Sequence, residues 1–308
     1  MINARKAISS LKYYNSKYGY KISSRVFLHY LIRLFRKYLF SGKSDFVKIH
    51  GYTIEKIPND PGISTELTIF KTHEPINTRI LTKLIKNGMT CLDIGGNIGY
   101  YVLLERKLIG DSGKIIAFEP APLNFQYLKQ NIERNNFQNI SLFNFACGNE
   151  KKNVKFFINK KSNGSQVYRN ESPPDPSLGK IITVEMIILD DFLEKINSEK
   201  IDFIRMDAEG YELNIIYGLL KTLEKHKPII SIELHKRQLG IERTIEFFKI
   251  LKSFGYEIES YMPRELDIPI IGSFSEIKKL TIDEIIKLLQ ENQIENYLML
   301  NFVNVENY

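Results

Sequence analysis

The chain has 308 residues, 43% of them hydrophobic and 26% charged, an ordinary globular composition long enough for one large α/β domain with appendages. Its two cysteines, Cys91 and Cys147, and the lack of any C-x-x-C pair speak against a disulfide framework or a cysteine-built metal site. No run approaches the roughly 18 to 20 uncharged apolar residues of a membrane span, and no cleavable leader is visible, so a cytoplasmic protein is expected.

The net charge of +7 is uneven. Residues 1–50 hold eleven Lys and Arg against the single acid Asp45, a net of +10, which leaves −3 for the rest of the chain. Residues 1–45 read as a basic helical extension. Arg25, His29, Arg33, Arg36 and Lys37 recur at helical spacing on one face, and Phe27, Leu28, Leu31 and Phe35 stand among the apolar residues on the others. Such a helix can pack on the domain, or lie along residues 25–40 in a membrane interface on the inner face of the membrane, its basic stripe toward anionic headgroups. Nucleic acid is disfavoured, because no second basic patch with interleaved aromatics occurs.

Residues 46–70 alternate like a β-hairpin, and a helix over Asn77 to Lys86 leads into a main domain that runs to residue 308. From there strands and helices take turns: strand Thr90 to Ile94, helix Ile98 to Lys107, strand Lys114 to Phe118, helix Pro122 to Arg134, strand Ile140 to Phe145. This order predicts a Rossmann-like, doubly wound parallel sheet. Two strands near Lys155 and Ile181 flank a polar stretch, Asn159 to Lys180, that is either a surface loop or a lid over a site. The alternation resumes with helix Asp190 to Ile196, strand Ile201 to Met206, helix Glu212 to Leu223, strand Ile229 to Leu234 and helix Glu242 to Phe254. A Thr281-x-x-Glu284 capping box opens a helix over Ile282 to Gln290, and Tyr297 to Phe302 reads as a last, antiparallel strand.

The glycine-rich turn Asp93-Ile94-Gly95-Gly96-Asn97-Ile98-Gly99 follows the first strand of the alternation. In a dinucleotide-binding unit this turn presents bare backbone N–H groups to a pyrophosphate. A carboxylate at Asp93 favours instead a ligand with an ammonium and no phosphate, hence S-adenosylmethionine (SAM) over NAD. Glu119, at the tip of the next strand, is placed to accept both hydroxyls of an adenosine ribose, and the neighbouring Pro120 lies on the same tip. Many SAM enzymes carry an acid after the third strand to read the adenine amino group. Here the text is Phe145-Ala146-Cys147-Gly148, which leaves adenine to backbone or apolar contacts around Ala146.

These residues, with His73-Glu74-Pro75, LDIGGNIGYY at 92–101, IIAFEPAPLNFQYLKQNIERNN at 115–136, DFIRMDAEGYEL at 202–213 and IELH at 232–235, resemble the FkbM family of SAM-dependent methyltransferases. The resemblance implies a class I methyltransferase fold, a mostly parallel seven-stranded sheet whose last strand is antiparallel, with a cofactor-binding core over about 76–260. It also implies SAM as methyl donor and O-methylation of a sugar, glycan or natural-product hydroxyl, the acceptor being lipid-linked if the N-terminal helix meets a membrane. Asp207, Glu209, Glu233 and His235 are expected at the carboxyl ends of the fourth and fifth strands, where an open sheet binds ligands. His235 is the candidate general base, Asp207 lines SAM or the acceptor hydroxyl, and Glu209 orients His235 or binds a sugar hydroxyl. Tyr100 and Tyr101 either pack on the cofactor or belong to the core. Asp207, Glu209 and His235 could alternatively hold Mg²⁺ or Mn²⁺, a reading the loose ligand spacing does not favour. The rival classes are an NAD-dependent oxidoreductase and a non-catalytic membrane-docking module.

Overall fold

The structure, a computed structural model, describes residues 4–39, 45–58, 60, 62–169, 175–270 and 278–307. A helical hairpin, α1 (Ala4–Tyr18) and α2 (Tyr20–Leu39), precedes a β-hairpin of β1 (Phe46–Ile49) and β2 (Tyr52–Glu55). The hairpin alternation does not extend to residue 70, because Ile63–Phe70 forms a helix, α3; it buries Ile63 and Leu67 at helical spacing, and α4 (Pro75–Leu84) follows with its proline in the first turn.

The alternating unit then runs β3 (Thr90–Ile94), α5 (Tyr100–Ile109), β4 (Lys114–Phe118), α6 (Pro122–Arg134) and β5 (Ile140–Phe143). The third strand stops at Phe143, short of the expected Phe145. Asn144 turns the chain by donating its side-chain amide to the carbonyls of Glu119 and Pro120, and β6 (Ala146–Gly148) joins a different sheet. That smaller sheet, in the order β6-β9-β7-β8, also contains β7 (Lys152–Asn159), β8 (Gln166–Val167) and β9 (Gly179–Ile188).

Beyond α7 (Leu189–Lys195), β10 (Phe203–Asp207) leads to two helices where one is expected: α8 (Glu212–Tyr217) and α9 (Leu220–His226). Gly218 divides them at a close crossing with β6, since a Cβ built on it would lie 2.1 Å from the Gly148 carbonyl oxygen. The chain closes with β11 (Ile229–His235), α10 (Lys236–Leu239), α11 (Ile241–Ser253), β12 (Tyr256–Pro263), α12 (Ile282–Gln290) and β13 (Tyr297–Asn304). The capping box at Thr281 and Glu284 forms reciprocally.

The seven-stranded sheet has the order β12-β13-β11-β10-β3-β4-β5. Only β13 runs antiparallel to its neighbours. Alternation along its strands builds a core on each face: Leu92, Ile94, Ile116 and Phe118 enter one, Cys91, Ile115 and Ala117 the other. Connections leave β3 toward β4 and β10 toward β11, so the strand order switches direction between β3 and β10. A crevice opens there beyond their carboxyl ends.

Candidate active site

The turn after β3 lies in that crevice. Gly95 and Gly96 both donate to the Phe118 carbonyl, and Gly95 has φ +89°. A Cβ on Gly95 would lie 2.2 Å from the Asp207 carbonyl oxygen, and one on Gly99 (φ +99°) would lie 2.7 Å from Leu128. The glycines are required because the turn is clamped between β10 and α6.

Asp93 is fully buried and does not face the crevice. Arg205 reaches it from β10 at 3.5 Å, donates to the Gly95 carbonyl at 3.1 Å, approaches Asp207 at 3.3 Å and covers the Tyr101 ring. Burial raises the Asp93 carboxyl above its usual range despite Arg205, and burial together with the Asp93 charge holds the adjacent Glu105 carboxyl well above its own. The carboxylate that the sequence places beside the ligand therefore braces the floor of the turn.

One cleft of about 640 Å³ is lined by Asn97, Glu119 and Pro120 and, among its apolar residues, by Phe145, Ala146, Cys147, Tyr211 and Ile215. Each Glu119 oxygen accepts one backbone N–H, Oε2 from Asn97 and Oε1 from Ala121, both at 2.8 Å. Burial pushes its carboxyl up to about 7 against the pull of those two bonds. A segment of the predicted lid, Ser162 to Ser165, forms one wall. Asn97 and Asn124 donate to the Ser162 carbonyl, and Asp60 accepts from Ser162 through both its backbone N–H and its hydroxyl. Residues 170–174 of the same stretch lie outside the described residues. The lining thus combines a buried carboxylate, apolar side chains and the backbone of a glycine that has no room for a side chain.

A second, polar cavity of about 490 Å³ adjoins it, lined among others by His73, Glu74, Tyr100, Arg205, Glu233 and Arg264. Gly96 belongs to this cavity, whereas Gly99 acts as the cap of α5. Tyr100 has its ring in the core and its hydroxyl hydrogen-bonded with Thr72 and Thr78. Gly95, Asn97, Asn163, Asp207 and Glu209 line both spaces. Asn97 (φ 49°) and Glu209 (φ 50°) hold left-handed backbone at this junction, strain of about 1 to 3 kcal/mol each that fixes the turn after each strand.

His235 is 2% exposed. Its Nδ1 lies 2.7 Å from Glu212, and its Nε2 lies 3.3 Å from Glu209 and 3.7 Å from Glu233. Burial works against a charged ring, but Glu212 and Glu209 outweigh it and hold the imidazole protonated well above its ordinary range. A ring that already carries its proton is a donor to Glu209 rather than the expected base. Asp207 is the contrasting group: burial, then Glu233, push its carboxyl up to about 8, and among the described residues its Oδ1 has no hydrogen-bond partner. Arg264 joins Glu74 at 2.6 Å to Glu233 at 3.3 Å, and His73 lies between Glu66 and Glu74. Sequence reading did not assign Arg205, Glu105 or Arg264. Arg205 lies two residues before Asp207 on β10, so its side chain shares that face of the strand, the one signal available. One ligand atom each of Asp207, Glu233 and His235 lies within 4.8 Å of the others.

The model of the methyltransferase FkbM domain matches residues 93–260. A curated relative, Methyltransferase 1 of Beauveria bassiana, is 26% identical over 143 residues, 42% of this chain and 57% of that protein. A protein-L-isoaspartate O-methyltransferase of Methanothrix thermoacetophila is 31% identical over 58 residues, 19% of this chain and 28% of that one. The chain thus matches little more than half the length of the first relative. Among solved structures, a methyltransferase FkbM of Methylobacillus flagellatus aligns with a TM-score of 0.43 at 17% identity, over 70% of this chain and 44% of that one.

Proposed function

The chain belongs to the FkbM methyltransferase family, and from that premise we propose that it transfers a methyl group from SAM to a hydroxyl of a sugar, glycan or natural-product acceptor. The observation that carries the reading is the junction: Asp207 and Glu209 line both the cleft that contains Glu119 and the polar cavity. When bound, SAM supplies a methyl carbon activated by its sulfonium.

Glu119 takes the ribose diol, and Phe145, Ala146 and Tyr211 pack the adenine. The acceptor enters the polar cavity, where the charged groups on Glu74, Glu233 and Arg264 suit a partner rich in hydroxyls. In its ionised form, which predominates only above about pH 8, Asp207 accepts the acceptor proton at Oδ1 as the acceptor oxygen gains the methyl group, and the protonated His235 holds Glu209 in place beside it. We expect Asp207→Asn to bind S-adenosylhomocysteine with unchanged affinity in calorimetry while transfer falls about 10²- to 10⁴-fold. Transfer by this variant at the wild-type rate would remove Asp207 from the reaction. Labelled SAM incubated with glycan extracts, with the label located by mass spectrometry, identifies the acceptor. Binding of NAD without S-adenosylhomocysteine would end the reading.

A second reading, in which a divalent cation polarises the acceptor hydroxyl, is favoured by the approach of Asp207, Glu233 and His235. Loss of transfer to a chelator, restored by Mg²⁺ or Mn²⁺, assigns the metal. Transfer that persists assigns the proton to Asp207 unaided.

A further inference from the structure

The N-terminal hairpin has one face on the domain and another that is exposed among the described residues. Tyr18 and Lys17 of α1 bond to Glu265, and Lys17 also pairs with Glu295. On α2, His29 is buried and stacks on Phe70 at the end of α3, while Arg25 donates to the Ile270 carbonyl. The basic stripe, for which the sequence leaves both packing on the domain and contact with headgroups open, turns toward the domain at Arg25 and His29. The side chains of Arg33, Arg36 and Lys37 lie outside the described residues.

What faces outward is apolar: Tyr20 is 79% exposed, Leu28 49%, Phe35 53%, with Phe27 beside them at 41%. Tyr20, Leu28 and Phe35 are eight and seven residues apart, which keeps them on one side of the helix. Lys21 and Ser24, on the same helix, are exposed as well. Neither helix of the hairpin is long and apolar enough to cross a membrane.

We propose that the ridge of α2 docks in the interface of an anionic phospholipid bilayer, apolar side chains among the acyl chains and lysines at the headgroups. The charge identifies the occupant: residues 1–50 carry +10 and the remainder −3, so attraction to a negative surface is confined to this end of the molecule. A second copy of the chain would bring two such segments together against their own repulsion. The anchors of the hairpin also flank the polar cavity, since Glu265 adjoins Arg264, and Phe70 lies three residues before His73. Docking would hold that cavity near the lipid surface, and its acceptor would be a hydroxyl-bearing headgroup or a lipid-linked glycan. This last step rests on the methyltransferase reading.

The test is vesicle flotation of the full chain with phosphatidylcholine alone and with phosphatidylcholine mixed with phosphatidylglycerol. We expect flotation only with the mixed vesicles, weakened by salt, and at least about a tenfold loss of the bound fraction when Tyr20, Phe27, Leu28 and Phe35 are all replaced by Ser. S-adenosylhomocysteine affinity, measured on the same variant, should be unchanged and reports that the domain is folded. No flotation with anionic vesicles, or flotation indifferent to the ridge substitutions, would overturn docking. A concentration-dependent dimer in sedimentation velocity that those substitutions abolish would give the ridge to a second copy and overturn it equally. Flotation without cofactor binding would leave docking in place and sink the methyltransferase reading instead.

Discussion

At the level of single residues, the site is a set of buried acids whose neighbours decide what each can do. Asp93 pairs with Arg205 beside the buried Glu105, Glu209 and Glu212 hold His235 protonated, and among the described residues Asp207 Oδ1 has no hydrogen-bond partner. Glu119 gives the most direct reading in solution. Its carboxyl sits at about 7, and only the ionised form can accept from both ribose hydroxyls, because a neutral carboxyl has one oxygen that must itself donate. Affinity for S-adenosylhomocysteine should therefore weaken as pH falls through about 7 and level off above it. Glu119→Gln should bind about tenfold or more weakly and lose the pH dependence, both measurable by titration calorimetry. A wild-type affinity that is flat across this range would place the ribose elsewhere. The acid at the tip of the second strand was legible in the sequence because strand, turn and helix fix its place. The environment of Asp93 was not, because its partner Arg205 follows 112 residues later and the two meet only when β3 pairs with β10.

The elements repeat this division. Strong periodicity gave β3, β4, α6 and α12 with the bounds expected from the sequence. Boundaries were missed where a tertiary contact overrides local pattern, as at Gly218 against Gly148 or at Asn144 against the end of β4. The polar stretch after β7 could be read as surface or as lid. Its first part is a cleft wall held by a side chain distant in sequence, Asp60, which also accepts from the backbone of Gly62 and Ser64. Asp60→Ala leaves several N–H groups without their acceptor and frees Ser162. We expect stability to fall by about 1 to 3 kcal/mol in urea unfolding. Limited proteolysis should cut near residues 160–165, and S-adenosylhomocysteine should dissociate faster in stopped flow. An unchanged dissociation rate would show that the wall does not retain the cofactor.

At the scale of the whole molecule, the sheet order and its switch point bring Asp207, Glu209 and Glu233 together beyond the carboxyl ends of β10 and β11, and that concentration of buried acids has a thermodynamic consequence. Glu119 at about 7, Asp207 at about 8 and Asp267 at about 6 all bind a proton more tightly in the folded protein than in the unfolded chain, chiefly because burial opposes their charge. His73, raised to about 10 by Glu74 and Glu66 against its burial, does the same on the basic side. Between the unfolded carboxylate range near 4 and these folded values the native state carries extra protons, so stability must decrease as pH rises. Glu74 and Glu209 are shifted down and act oppositely, but their contribution is lost only in the acid, below the ordinary carboxylate range. The cofactor-free protein should therefore be most stable at mildly acidic pH. Its unfolding free energy should fall by on the order of a few kcal/mol from about pH 6 to about pH 9, seen as a steady drop in Tm in calorimetric scans. Asp207→Asn removes one of the groups that resist ionisation and should flatten the upper part of that slope near pH 8. A Tm that rises over the same interval would mean that these carboxyls are already ionised in the folded site and that burial does not hold their protons.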